Sequence, residues 1–275
     1  MTIFFLLIAA CVIIYLNERP KQKKTQTQQP RKLIEKIWNK PAGTVYSLFQ
    51  KAINEPHLLI AGATGSGKSV VIDGLITTAL YNAPCEAKFI LIDPKKVSLR
   101  RYKDLPHVLR YADTHDDICD AMEYAESIMD KRFSDMAARG LLKYDGPDLY
   151  IFIDELMDLM TTTGTKSRFK PTIQRIAQLG RAAKVHVIAA TQSPIRDVIP
   201  SPILCNFDAR FALRTRDSQD ARNIIGVKNK LYHLEDFPKY GQGLYMSPDE
   251  ETLYNVPMVD DSEIERLIKQ WMMQK

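Results

Sequence analysis

Cysteine is scarce in this chain, and nothing suggests that it is paired. The four cysteines among 275 residues, Cys11, Cys85, Cys119 and Cys205, lie far apart, with neither a C-x-x-C motif nor a Cys/His metal spacing. That excludes a disulfide framework and a cysteine-built zinc site, and reads as free thiols in a reducing compartment. A net charge of either sign is missing from most of the chain as well. The formal net charge is +5, yet eight Lys/Arg and two Glu fall between residues 18 and 40, so the sequence from 41 onward is close to neutral. Bulk basicity therefore gives no argument for nucleic-acid binding, which must rest on where individual basic residues lie.

A membrane-length hydrophobic run is lacking too. The stretch Ile3 to Leu16, IFFLLIAACVIIYL, is shorter than the roughly 20 residues that cross a bilayer comfortably, although Met1 to Asn17 could cross a locally thinned one. A basic cluster follows it at once, no positive residue precedes it, and no small-x-small site clearly ends it. The pattern predicts a single-pass transmembrane anchor over 1–17 rather than a cleaved signal peptide, placing the protein at the cell membrane with the rest of the chain in the cytoplasm. A core helix of a soluble protein is the alternative. Residues 18–31 combine two prolines with a Gln/Thr tract and no apolar side chain, as a basic disordered linker does. Residues 32–54 place Leu33, Ile34, Ile37 and Trp38 at helical spacing and form a helical lead-in.

The chain is organised around His57 to Ile72, HLLIAGATGSGKSVVI, which reads as strand, loop and helix. Gly62, Ala63, Thr64, Gly65, Ser66, Gly67, Lys68 and Ser69 match G-x-x-x-x-G-K-[ST] without a mismatch, and Val70 continues the nucleotide-binding segment. Glycines let backbone N–H groups curl around a phosphate, and the helix that follows aims the positive end of its dipole at the same anion. Lys68 is expected on the β- and γ-phosphates of ATP, and Ser69 on Mg²⁺. A glycine-rich turn between an ordinary strand and helix is the plainer alternative.

Two later apolar strands end in acids, KFILID at Asp93 and YIFIDE at Asp154-Glu155. Hydrolysis of a phosphoanhydride needs one carboxylate for the metal and another to orient and deprotonate water. Asp154 and Glu155 supply both, whereas Asp93 is followed by proline and has no such partner. An ordinary helix start, with acids favouring the dipole, is the alternative. Further along, Asp113 to Arg139 predicts a long helix capped by Asp113 or Thr114 and ended by Gly140. Thr172 to Ala183 predicts another helix, and Val185 to Ala190 a strand ending in Thr191-Gln192. Gln192, at the tip of that strand, is the candidate for sensing the γ-phosphate. His186, mid-strand, reads as a core histidine. Asp208 to Arg216 and Gly241 to Met246 predict two more strands, and Glu263 to Met273 a terminal amphipathic helix that packs as a cap. Repeated βα units with a phosphate loop on the first make a three-layer α/β fold around a mostly parallel sheet.

The motifs HLLIAGATGSGKSV, LIDPKKVSL, YIFIDELMDLM, IQRIAQLGRAAKVHVIAATQSP and ARFALRTRDSQDARNIIG before GQGLYM stand in the order seen in the FtsK/SpoIIIE family, and residues 55–250 resemble its motor domain. The resemblance implies a RecA-like P-loop NTPase over 55–260, followed by the C-terminal helix over 261–275. It implies a ring, usually a hexamer, that moves double-stranded DNA by ATP hydrolysis. An arginine from the neighbouring subunit completes the site, with Arg222 the first candidate, Arg210 the second and Arg181 the third; surface ion pairs are the alternative for each. The loops PKKVSLRRYK and TTTGTKSRFK are candidates for DNA contact. No winged-helix reader follows the motor, so the chain is similar to the small translocases of conjugative or integrative elements or phages, where a relaxase or transfer-channel proteins would be partners. The alternative is a coupling or secretion ATPase that docks a nucleoprotein or protein substrate to a membrane channel.

Overall fold

A computed structural model of the chain describes residues 34, 36–38, 45–84, 86–162, 168–192, 198–226 and 232–273. Short apolar segments such as His57–Ala61 (β1), Lys88–Ile92 (β2) and Leu149–Ile153 (β4) form strands covered on both faces, so they carry no polar alternation. With Val108–Ala112 (β3), Val185–Thr191 (β5), Ala209–Leu213 (β6), Gln242–Met246 (β7) and Glu251–Asn255 (β8) they build one sheet in the order β3-β2-β4-β5-β1-β6-β7-β8. The pairings from β3 across to β6 are parallel. The pairings of β6 with β7 and β7 with β8 are antiparallel. The sheet is therefore mostly parallel, as the sequence predicts, with an antiparallel extension at one side.

Helices cover both faces. Val45–Ala52 (α1), Lys68–Asn82 (α2) and, later in the chain, Asp261–Met272 (α8) bury their apolar sides with Leu58 and Ile60 of β1. His115–Arg139 (α3), Leu156–Thr162 (α4), Phe169–Leu179 (α5), Ser201–Leu204 (α6) and Ser218–Ile225 (α7) pack on the other face, where Leu59 and Ala61 point. The alternation of β1 side chains between two cores makes the three layers. Thr114 caps α3, its Oγ1 accepting from the Asp117 N–H at 3.3 Å, and Gly140 closes the helix at φ 65°. The capping box of Asp260 and Glu263 starts α8. Arg101 fastens this helix to α2, donating to Asp261 Oδ1 and to Asp73 Oδ2 at 2.8 Å each, while Tyr102 donates to Asp73 Oδ1 at 2.7 Å.

Two expectations need correcting. The predicted helix over 172–183 runs instead over Phe169–Leu179, because the chain must turn at once into β5: the Val185 N–H donates to Gly180 O at 3.0 Å, and a Cβ at Gly180 would stand 2.4 Å from Val185 O. The anchor over 1–17 and the linker over 18–31 lie outside the described residues, and among the described residues no helix is long and apolar enough to cross a membrane. The cell-membrane localisation drawn from the amino-terminal run is therefore withdrawn.

Candidate nucleotide site

The carboxyl ends of β2, β4, β5 and β1 meet at one edge of the sheet, because the register sets Ile92 beside Ile153, Ile153 beside Ala189 and Ala61 beside Thr191. The phosphate loop leaves β1 at that edge. It is held at its base by the Gly62 N–H on Thr191 O at 3.3 Å and the Ala63 N–H on Arg214 O at 2.7 Å. Gly62 has to be glycine: a Cβ there would meet Leu213 Cβ at 2.7 Å and Ser66 Oγ at 2.8 Å. Gly67 stands at φ 107°, a left-handed conformation open to glycine, and its residue starts α2 with no side-chain cap.

No side chain caps the first N–H groups of α2, and no acid occupies its first turn. Lys68 folds back to donate to Gly62 O at 2.7 Å and Ala63 O at 3.1 Å, so its ammonium lies inside the loop. Burial pulls its pKa down, against the opposing pull of Glu155 and Asp154. Ser66 Oγ is buried without a hydrogen-bond partner. Free amide donors, a parked ammonium and an orphaned hydroxyl fit the polyphosphate of a nucleotide.

Both acids of β4 arrive at the same edge. Burial pushes the Asp154 carboxyl up, and the neighbouring Asp93 adds to the effect while Ser98 opposes it through a hydrogen bond. Glu155 is buried, with Oε1 accepting the Gln192 N–H at 3.2 Å and Oε2 accepting from Lys95 Nζ at 3.1 Å. Gln192 in turn accepts on Oε1 from Thr64 Oγ1 at 3.0 Å. Gln192 thus bridges the phosphate loop and the acid, the geometry required of a residue that reports on what the loop holds. Asp93 serves the loop after β2, its Oδ2 accepting the Leu99 N–H at 3.0 Å.

The arginines separate. Arg210 lies opposite Leu59, three residues before the end of β6, and donates to Phe207 O at 3.2 Å and also to Ile224 O, tying β6 to α7. Arg222 is exposed on α7, whose buried side packs in the layer opposite α2. Arg181 is exposed in the turn after α5. Among the proposed DNA contacts, Lys95 pairs with Glu155 and, at 3.7 Å, with Asp158; Lys96 pairs with Asp113, Arg101 with Asp73, and Arg168 with Glu123. Residues 163–167 of the second loop lie outside the described residues. His186 sits in the core as expected, its ring nitrogens 2.9 Å from Glu55 O and 3.0 Å from Asp148 Oδ1.

Lys95 and Ser98 are the site residues that motif reading missed. Their signal was present: a short polar segment directly after a buried strand, at the edge where parallel sheets place ligands. Lys96, between them, holds φ at 59°, in the left-handed region that residues with a Cβ seldom adopt.

A mostly parallel, three-layer sheet with a phosphate loop on β1 and paired acids on β4 defines a P-loop ATPase of RecA-like architecture. Solved structures with this fold include the conjugation coupling protein TcpA of pCW3 bound to ATPγS (TM-score 0.67, 22% identical, covering 79% of this chain and 65% of that one). Another is the cytoplasmic domain of the Type VII secretion ATPase EccC of Thermomonospora curvata (TM-score 0.65, 21% identical, 80% and 28%). The model of the FtsK/SpoIIIE family matches residues 15–151 and 142–196, and the chain belongs to that family. Relatives include the DNA translocase FtsK of Oceanobacillus iheyensis, 33% identical over 273 residues (86% of this chain, 34% of that protein), and that of Staphylococcus aureus, 36% identical over 240 residues (78% and 30%). The chain thus spans about a third of the length of the relatives it matches.

Proposed function

We propose that this chain is an ATP-driven motor that moves double-stranded DNA. The observation that carries the reading is the convergence of Lys68, in an uncapped glycine loop, with the buried, oriented carboxylate of Glu155. In hydrolysis, a water oxygen attacks the γ-phosphorus, the bond to the β–γ bridging oxygen breaks, and Glu155 accepts the proton that the water loses. Lys68 leaves its two carbonyl partners for the phosphate oxygens. Ser69 and Asp154 would hold Mg²⁺, which when bound neutralises phosphate charge. Gln192, bonded to Thr64 on one side and to Glu155 on the other, couples occupancy of the loop to the position of the acid.

Arg222, exposed on α7, is the arginine we assign to a neighbouring subunit's site, where it would stabilise charge spreading over the γ-phosphoryl group. That role requires a ring, and a hexamer around duplex DNA is the assembly we propose. The test is ATP hydrolysis measured with duplex DNA, with single-stranded DNA and with none. The expected result is stimulation by duplex, and a fall of about 10²–10⁴-fold for Glu155→Gln with nucleotide binding retained. Turnover indifferent to duplex would sink the DNA reading, and an unimpaired Glu155→Gln would sink the mechanism.

A further inference from the structure

Tyr240 is the one aromatic ring among the large apolar side chains that stand exposed in the described residues, at 59% exposure. Its place follows from the sheet. Leu213 pairs with Gly243, so β7 starts beside the end of β6, and Arg214, the next residue, is bonded to the phosphate loop through Ala63. Gly241, at φ 87°, turns the chain into β7, and its carbonyl accepts the Val256 N–H. Tyr240 is thereby set over the loop: its Cε1 lies 3.9 Å from where a Cβ on Gly65 would be. Lys239 Nζ lies 5.1 Å from the ring centroid.

The direction of a bound nucleotide follows from the same topology. Glu155 and Gln192 stand on β4 and β5, to one side of β1, and the γ-phosphate must lie toward them. The nucleoside then leaves the loop on the other side, over β6 and β7, where Tyr240 waits. We propose that Tyr240 is the platform on which the purine ring of the nucleotide stacks, with the Lys239 ammonium beside the same ring. This rests on the loop being an ATP site, and it adds the residue that selects a nucleotide over a bare polyphosphate.

The experiment titrates ATP and inorganic tripolyphosphate, each with Mg²⁺, against the full chain and against Tyr240→Ala and Tyr240→Trp. Tyr240→Ala is expected to weaken ATP about ten- to a hundredfold while tripolyphosphate affinity stays unchanged. In Tyr240→Trp, emission of the new indole should be quenched by ATP and not by tripolyphosphate, over a steady background from Trp38 and Trp271, which are 0% and 3% exposed. Equal weakening of both ligands would mean that Tyr240 only shapes the loop, and unchanged ATP affinity would mean that the base lies elsewhere; either overturns the assignment. A full chain that binds neither ligand would overturn the nucleotide site itself, and this assignment with it.

Discussion

The side chain of Glu155 is 3% exposed, and both its oxygens are engaged, one by the Gln192 N–H and the other by the Lys95 ammonium. A carboxylate so placed needs its cation, because an unpaired buried charge has lost hydration that nothing replaces. Lys95 is itself 40% exposed, so solvent screens part of the pair and the cost of losing it falls below that of a fully buried bridge. Lys95→Met is expected to destabilise the nucleotide-free protein by about 1–2 kcal/mol, lowering the melting temperature by about 3–6 °C. In a Glu155→Gln background the same change should cost much less, since the charge it serves is gone; thermal melts of the four proteins measure the coupling. Equal costs in both backgrounds would show that Lys95 acts through something other than Glu155. Sequence reading found Glu155 because its role is written in adjacent residues, Asp154 and the strand before it. It placed Lys95 among DNA contacts because the pairing is non-local, made only when β2 and β4 lie side by side.

At the scale of elements, the contact between α1 and α2 is set by one glycine. A Cβ on Gly74 would stand 2.1, 2.5 and 2.6 Å from three ring carbons of Phe49. That ring has nowhere to go, being fully buried and edge-on both to Trp38 at 5.3 Å and to Phe211 at 5.7 Å. Two effects oppose each other in Gly74→Ala: helix propensity favours alanine by about 1 kcal/mol, while overpacking costs about 1–3 kcal/mol. With three contacts far inside van der Waals distance the second should win, and urea denaturation should show a net loss of about 1 kcal/mol or more; a gain would mean that α1 is free to shift. Strands with uniform apolarity, β1, β2, β4 and β5, were legible because burial on both faces leaves a continuous hydrophobic run. The long helix α3 was legible from its Thr114 cap and Gly140 stop. β3, VLRYA, and the edge strand β8, ETLYN, were not, because their exposed positions carry mixed side chains that read equally as loop. The close approach at Gly74 left no mark either, as a helical glycine signals only weakness until its neighbour is known.

For the whole molecule, the decisive question is where the arginine comes from. Glu155 and Lys68 belong to the sheet edge of one protomer, whereas Arg222 is exposed on α7, and the proposed mechanism assigns it to the nucleotide of a neighbouring subunit. Arg210, by contrast, is held by Phe207 O and Ile224 O and braces β6 within its own chain. If the ring shares its sites, Glu155→Gln and Arg222→Ala subunits fail for different reasons on different sides of an interface. Each alone should be inactive in DNA-stimulated hydrolysis. Mixed in equal amounts before assembly, they should regain roughly a quarter of the wild-type rate, because that fraction of interfaces joins an intact acid to an intact arginine. Glu155→Gln mixed with Lys68→Ala supplies the control: both lesions lie on the same side, every interface stays defective, and no activity should return. Recovery in the first mixture and silence in the second would place Arg222 in trans, whereas silence in both would remove it from the site.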